Sequence, residues 1–370
     1  MQEVRWGFIG GGNVTEAKAA PGGAFTQEDS RVLAVARTDL ARSQEYAELH
    51  GIERPYGSVA ELCADPDVDA VFVCTPHSLH TEHVLAAINA GKHVLCEKPL
   101  TITTEDGRAL VEAAAKANVV LAVAFYRRFY PVLEMLRAVV RSNRLGTITS
   151  AQMVCRAYSI PPRPAGSEVP ARAWRQQLAA AGGGTLTDVG SHRLDLLFWL
   201  LGDARSVSAH VNHVETWAES EDQANVLIQF ASGVSATLDQ SWCSHSPRDS
   251  ITIYGTEGIA TVDDLEGTTL RLQLGKDEDV LSVSPRSSFT HRPLVADFVR
   301  AVREGTPPRC PGSDGLRTTQ LIELAYRAAR ERRTLDVPDP AQRQPFAATI
   351  PLIQISQNPG STTPTSGSSQ

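Results

Sequence analysis

Five short apolar runs alternate with four helical patterns over the first 125 residues, and this alternation constrains the fold more than any other feature of the chain. The runs are VRWGFIG (4–10), RVLAVA (31–36), VDAVFVCTP (68–76), KHVLCEKP (92–99) and VVLAVAF (119–125). Between them lie TEAKAA (15–20), DLARSQEYAELHG (39–51), HTEHVLAAINAG (80–91) and TEDGRALVEAAAKAN (104–118), two of which close on glycine. Strands that are apolar at nearly every residue belong to a parallel sheet covered on both faces, because the crossover helices pack on both sides. The expectation is a doubly wound parallel sheet over residues 1–125. Such a sheet takes its ligand at the carboxyl ends of the strands, so the residues just after each run are the informative ones.

After the first run comes Gly10-Gly11-Gly12-Asn13-Val14-Thr15. Glycines there let the backbone turn tightly and approach a pyrophosphate, which the following helix N-terminus attracts through free amides and its dipole. Gly10, Gly12, Asn13 and Val14 are the nucleotide-binding candidates, although Thr15 stands at the third glycine position of the fingerprint. Where NAD-binding versions of this fold place an acidic residue after the second strand, this chain has Arg37-Thr38, with Arg42 one helical turn on. A guanidinium pairs with phosphate in a bidentate way, so Arg37 and Thr38 favour NADP over NAD. In the alternative, Arg37 is solvated and Asp39 takes the ribose.

Two segments carry residues suited to proton chemistry. Cys96-Glu97-Lys98-Pro99 puts a carboxylate and a lysine at a strand's carboxyl end, with Pro99 biasing Lys98 toward an extended conformation. AGGGTLTDVGSHRLDLLFWLLG (181–202) reads as a flexible glycine run followed by an amphipathic helix. On that helix Asp188, His192 and Asp195 share one stripe, and a carboxylate one turn from an imidazole can set its tautomer and raise its basicity. Each segment alone also fits a plain turn or a capped helix.

Together, the Gly-rich first turn, CEKPL after KHVL, and GGGTLTDVGSHRLDLLFWLLG some ninety residues later resemble the glucose–fructose oxidoreductase / inositol dehydrogenase (Gfo/Idh/MocA) family over about residues 4–335. The resemblance implies a Rossmann domain followed, over 126–337, by an α+β domain on a large open, mostly antiparallel sheet, with the active site between them. It implies that His192 exchanges a proton with the reacting hydroxyl, Lys98 holds and polarises that oxygen, and Asp188 orients substrate and imidazole. It further implies that Thr75 and Pro76 pack on the cofactor with His77 nearby, and that Glu97, Lys98, Arg127, Trp174 and Arg175 lie near cofactor or substrate. His77 and His80 are three apart but have no third ligand at metal-site spacing, and no metal is expected.

The stretches SVSAHVNHVE, QANVLIQF, VSATLDQSWC, DSITIYGT, IATVDD and TLRLQL between 206 and 274 alternate as half-buried antiparallel strands. Helical patterns at 294–305 and 314–333 cover only part of so large a sheet, and the cost of leaving an apolar face wet points to a homodimer or homotetramer. A net charge of −7 without like-charge blocks argues against nucleic acid or an anionic membrane as partner. Six scattered cysteines and the absence of a spanning apolar run fit a cytoplasmic protein. From about Pro338 to residue 370 the chain turns rich in Pro, Ser, Thr and Gly and reads as a disordered tail.

The functional expectation is an NAD(P)-dependent oxidoreductase moving a hydride to or from a hydroxyl or carbonyl carbon of a polyhydroxylated small molecule: a sugar, sugar derivative or cyclitol. Two alternatives stay open: a nicotinamide-dependent glycosidase with no net redox change, and an inactive cofactor-binding regulator. The regulator would be expected to lose the Lys–Asp–His set, which this chain keeps.

Overall fold

The computed structural model describes residues 3–12, 22–159, 173–214 and 219–338. Asn13, Val14, the helix expected over 15–20 and the tail beyond Pro338 lie outside these residues. Six strands, β1 (Val4–Gly10), β2 (Ser30–Ala36), β3 (Arg54–Tyr56), β4 (Ala70–Cys74), β5 (His93–Cys96) and β6 (Leu121–Val123), form one sheet in the order β3-β2-β1-β4-β5-β6. Every pairing in it is parallel. The order reverses between β1 and β4, which opens a crevice for a dinucleotide at their carboxyl ends. Helices α1 (Leu40–His50), α2 (Val59–Ala64), α3 (His80–Asn89) and α4 (Thr104–Ala117) connect the strands. Their ends follow local chemistry: Asp39, Ser58 and Thr103 accept backbone amides as N-caps, and Gly51 closes α1 at φ 65°. The sequence reading passed over β3 and α2, each too short to show a period.

The second sheet has nine strands in the order β14-β13-β12-β11-β7-β10-β9-β8-β15. They are β7 (Ile148–Tyr158), β8 (Ala204–Asn212), β9 (Gln223–Phe230), β10 (Ser235–Ser241), β11 (Cys243–Gly255), β12 (Gly258–Val262), β13 (Thr269–Leu274), β14 (Asp277–Ser282) and β15 (Leu335–Asp336). All pairings are antiparallel except β7 with β10. The expected architecture, a doubly wound parallel sheet followed by an α+β unit on a large, mostly antiparallel sheet, is the one observed. The central strand β7 escaped the sequence reading.

Its inner face carries Ala151, Met153, Val226, Ile228, Ala236 and Leu238. Against it pack α5 (Pro131–Arg141), α7 (Val189–Leu201) and α9 (Gly312–Glu331), while the short α6 (Leu178–Ala181) precedes α7. The outer face exposes polar residues such as Gln152, Asn225 and Thr237, and the Arg156–Asp239 ion pair, around Leu227, so it is far less apolar than the sequence pattern implies. Two further expectations are corrected. Helix α8 (Arg292–Glu304), read as a cover for this sheet, instead lays Phe298 against Trp6 of the first sheet at 4.9 Å, closing an aromatic core with Phe25 and Phe72. Helix α7 is not amphipathic: ten of its thirteen residues are buried, because it runs through the middle of the molecule.

Candidate active site

A cleft of about 1230 Å³ runs along the carboxyl ends of the first sheet and on toward the second. At one end β1 finishes at Gly10 and the chain turns through Gly11 with φ of 100° and 129°, values that L side chains rarely adopt. A Cβ on Gly10 would sit 2.9 Å from the Cys74 carbonyl oxygen, whereas among the described residues one on Gly12 would meet nothing within 4 Å. The turn therefore presents bare backbone to the cleft, as a pyrophosphate requires. Arg37, Thr38 and Arg42 line the same end. The Arg37 guanidinium lies 5.2 Å from the centroid of the Tyr46 ring, and its backbone amide donates to Ser43 Oγ at 2.8 Å. Asp39, the other ribose candidate, has its carboxylate engaged as the cap of α1, accepting from the Arg42 amide at 2.9 Å. The residues present thus fit a dinucleotide.

Thr75, Pro76 and His77 follow β4 along the cleft wall. His77 is buried; burial and the neighbouring His80 push its pKa down to about 3. The ring is therefore neutral, and Nδ1 carries the hydrogen donated to the Ala181 carbonyl at 2.9 Å. Trp174, on the 3-10 turn Ala173–Gln176, meets the same ring edge-on at 4.9 Å.

Beyond it the cleft is lined by Lys98, Arg175, Asp188 and His192, drawn from three separated segments. Lys98 follows β5, and its peptide bond to Pro99 is cis. Its Nζ donates to Asp188 Oδ1 at 2.5 Å and to the Asp188 carbonyl at 3.0 Å. Arg175 Nε lies 3.3 Å from Asp188 Oδ2. Burial alone would push the Asp188 carboxyl up, but the Lys98 ammonium and Arg175 guanidinium prevail and hold it well below the usual carboxylate range. His192, one turn into α7, stands edge-on to Tyr126 with ring centroids 4.7 Å apart. A cation, a fixed anion and an imidazole on one wall can hold a substrate oxygen and move its proton.

The description "Oxidoreductase family, NAD-binding Rossmann fold" matches residues 4–125, and the GFO/IDH/MocA C-terminal domain matches residues 133–261. The chain belongs to the Gfo/Idh/MocA family. It is an NAD(P)-dependent oxidoreductase. It is 32% identical over 320 residues to the 1,5-anhydro-D-fructose reductase of Ensifer adhaerens, covering 84% of this chain and 92% of that protein. Among solved structures, the aldose-aldose oxidoreductase of Caulobacter crescentus, complexed with glycerol, is 28% identical with a TM-score of 0.80, over 90% of this chain and all of that one, which is 100% covered. Levoglucosan dehydrogenase in complex with NADH and levoglucosan is 25% identical with a TM-score of 0.82, over 91% and 100% of the two chains.

Within this Gfo/Idh/MocA site, most of the residues singled out from sequence line the cleft, and the exceptions are instructive. Asp195 does not reach it: buried, it forms a two-pronged ion pair with Arg128, which also reaches Asp314 at 2.7 Å. Asp188 stands at the N-cap of the helix and lines the cleft with His192, whereas Asp195 lies beyond the cleft wall. Adjacent Arg127 and Arg128 part company, since Arg127 lines the cleft and lies 3.3 Å from Asp249 and 3.4 Å from Glu266. Glu97 borders the cleft, yet its carboxylate accepts from His291 Nε2 at 2.8 Å and from the Lys98 amide at 3.2 Å.

The glycine run is not a flexible hinge. Gly184 and Leu186 donate their amides to the two oxygens of buried Glu221 at 2.8 and 2.9 Å, and Tyr326 donates its hydroxyl at 2.8 Å. A Cβ on Gly184 would fall 1.8 Å from the Glu221 carbonyl oxygen, so glycine is there for close packing. Glu221, Arg193 and Asp249 were missed; Arg193 lines the cleft and holds Asp249 at 2.5 Å. The sequence gives one usable signal, the position of Arg193 directly after His192 on a helix with no exposed face.

Proposed function

We propose that this chain transfers a hydride between a nicotinamide and the hydroxyl- or carbonyl-bearing carbon of a sugar, sugar derivative or cyclitol. The observation that carries the reading is the convergence of Lys98, Asp188 and His192 on the cleft that also holds the Gly10–Gly12 turn. Lys98 donates to the substrate oxygen and polarises it; Asp188, ionised, fixes the ammonium in place. His192 takes or gives the proton of that oxygen. Arg127, near Asp249 and Glu266, flanks the substrate, and Arg175 braces Asp188 from the other side. A bound nicotinamide supplies the hydride acceptor or donor. The names of the relatives, an anhydrofructose reductase, an aldose-aldose oxidoreductase and a levoglucosan dehydrogenase, support a sugar-like substrate.

NADP is the preferred cofactor in this reading: Arg37, Thr38 and Arg42 line the nucleotide end of the cleft and would pair with a 2′-phosphate, while the Asp39 carboxylate caps α1. The NADH found with levoglucosan dehydrogenase makes NAD the competitor. The protein works as a homodimer or homotetramer joined through the outer face of the nine-stranded sheet, where Leu227 is exposed. Six free thiols are consistent with a reducing, cytoplasmic setting.

The deciding experiment incubates purified protein with NADPH or NADP and a panel of aldoses, ketoses, anhydrosugars and cyclitols, following the absorbance of the reduced cofactor. Net oxidation or reduction with at least one of them is expected. Bond cleavage with no net change would transfer the chain to the glycosidases, and cofactor binding without turnover across the panel would make it a regulator.

A further inference from the structure

The cleft accounts for Lys98 and His192 but not for what lies behind them. His291, at the N-terminus of α8 and fully buried, is separated from Glu97 by 194 residues of chain, yet its Nε2 meets Glu97 Oε1 at 2.8 Å. A carboxylate accepts only, so Nε2 carries the hydrogen. The other ring nitrogen, Nδ1, is 3.2 Å from the Thr290 hydroxyl. The second oxygen of Glu97 accepts the backbone amide of Lys98 at 3.2 Å, which ties the lysine's peptide to the pair. The His291 ring also packs on Tyr126 with centroids 4.7 Å apart, and Tyr126 in turn meets His192, again at 4.7 Å.

We propose that Glu97 and His291 form a positioning pair that fixes Lys98 through its backbone and His192 through the Tyr126 ring. Glu97 thus acts on the reaction through its neighbours and is not a cofactor ligand. One anchor reaches both members of the proton-handling set, and it is supplied by α8, a helix remote in sequence from either of them. The inference rests on the proposed catalytic roles of Lys98 and His192. A displacement of about 1 Å in a reacting group, caused by a change away from the chemistry, can cost about a hundredfold in activity.

The test compares His291→Leu, His291→Gln and Glu97→Gln with Lys98→Ala in the full chain. Three quantities are measured: kcat at saturating cofactor, the NADPH dissociation constant by quenching of protein fluorescence, and the ring resonances of His192 in histidine-labelled protein. His291→Leu is expected to lower kcat about tenfold or more, to move the His192 resonances, and to leave the dissociation constant within about twofold. The Gln side chain can donate from nearly the place of Nε2, so His291→Gln should recover most of the loss. Glu97→Gln, which still accepts from His291, should change cofactor affinity little.

Unchanged kcat and unchanged His192 resonances in His291→Leu, with Lys98→Ala inactive, would overturn the positioning role while sparing the proposed function. Glu97→Gln weakening NADPH tenfold at constant kcat would restore Glu97 as a cofactor ligand and also overturn it. Full turnover in both Lys98→Ala and His291→Leu would remove the catalytic reading and the positioning pair together.

Discussion

Two glycine runs serve the one cleft in opposite ways. In the first run Gly10 and Gly11 let the backbone turn close against Cys74 and Tyr46, and Gly12 leaves room at the cleft: among the described residues, a Cβ there would meet nothing within 4 Å. At Gly182–Gly184 the missing side chains let the protein close on itself, since a Cβ on Gly183 would lie 2.2 Å from Thr187 Oγ1 and one on Gly184 lies closer still to Glu221. The first run makes a binding surface out of local backbone. The second makes Asp188 rigid by fastening its turn to Glu221 and Tyr326, which come from distant parts of the chain. The nucleotide end is thus built locally and the catalytic end by long-range burial.

The largest effect should come from the catalytic end. Lys98→Ala is expected to lower turnover about a hundred- to ten-thousandfold, the usual range for a group that handles the reacting proton or its oxygen, with cofactor affinity nearly intact. A steady-state assay beside a binding titration checks both halves of that statement.

The two glycine runs can be set against each other directly. Gly184→Ala forces a methyl into the Glu221 backbone and should destabilise the protein by about 3 kcal/mol, near the upper end for overpacked cores. Gly12→Ala should stay within about 0.5 kcal/mol, as surface changes do, and act instead on cofactor affinity. Denaturant melts of both variants would reveal any reversal of this order.

The anchor of the second run is sensitive to pH. Burial pushes the Glu221 carboxyl from its ordinary 4.5 up to about 7, against the pull of the Leu186, Tyr326 and Gly184 hydrogen bonds. Between those pH values the unfolded chain binds fewer protons than the folded one, so the group's contribution to stability falls as pH rises. Relative to Glu221→Gln, the wild-type Tm should therefore drop from pH 4.5 to pH 7, by an amount equivalent to about 2 to 3 kcal/mol. A Tm difference that stays flat over that window would show that the carboxyl does not titrate there.

A smaller effect belongs to the nucleotide end. Arg37→Asp should swing the ratio of kcat/KM for NADP over NAD by about tenfold or more, since a charge-assisted bond to phosphate is lost and a repulsion gained. An unchanged ratio would return the ribose to Asp39.

The same division explains what the sequence could reveal. The parallel sheet, the Gly10 turn and the place of Arg37 and Lys98 along the cleft were legible because apolar runs and the residues just after them are neighbours in the chain. Asp188 and His192 were legible as a spacing on one helix. Asp195 obeyed that spacing and still proved structural, because nothing local announces that Arg128 lies on the other side of the helix. Glu221, Asp249 and His291 were hidden for the same reason: each derives its role from a partner at least thirty-five residues away, and single acidic or histidine residues in a strand or before a helix have no periodic signature. The role of α8 was misread because an amphipathic helix shows which face it buries but not on which sheet.

The most direct test of the account is a single turnover with NADPH carrying deuterium at the transferable position, run with wild type and with His192→Ala on a substrate found in the panel. The account predicts deuterium on the hydroxyl-bearing carbon of the wild-type product and a loss of that product by two orders of magnitude or more in the variant, within the range expected for a proton-transfer residue. Product formed without deuterium, or formed equally well by His192→Ala, would contradict it.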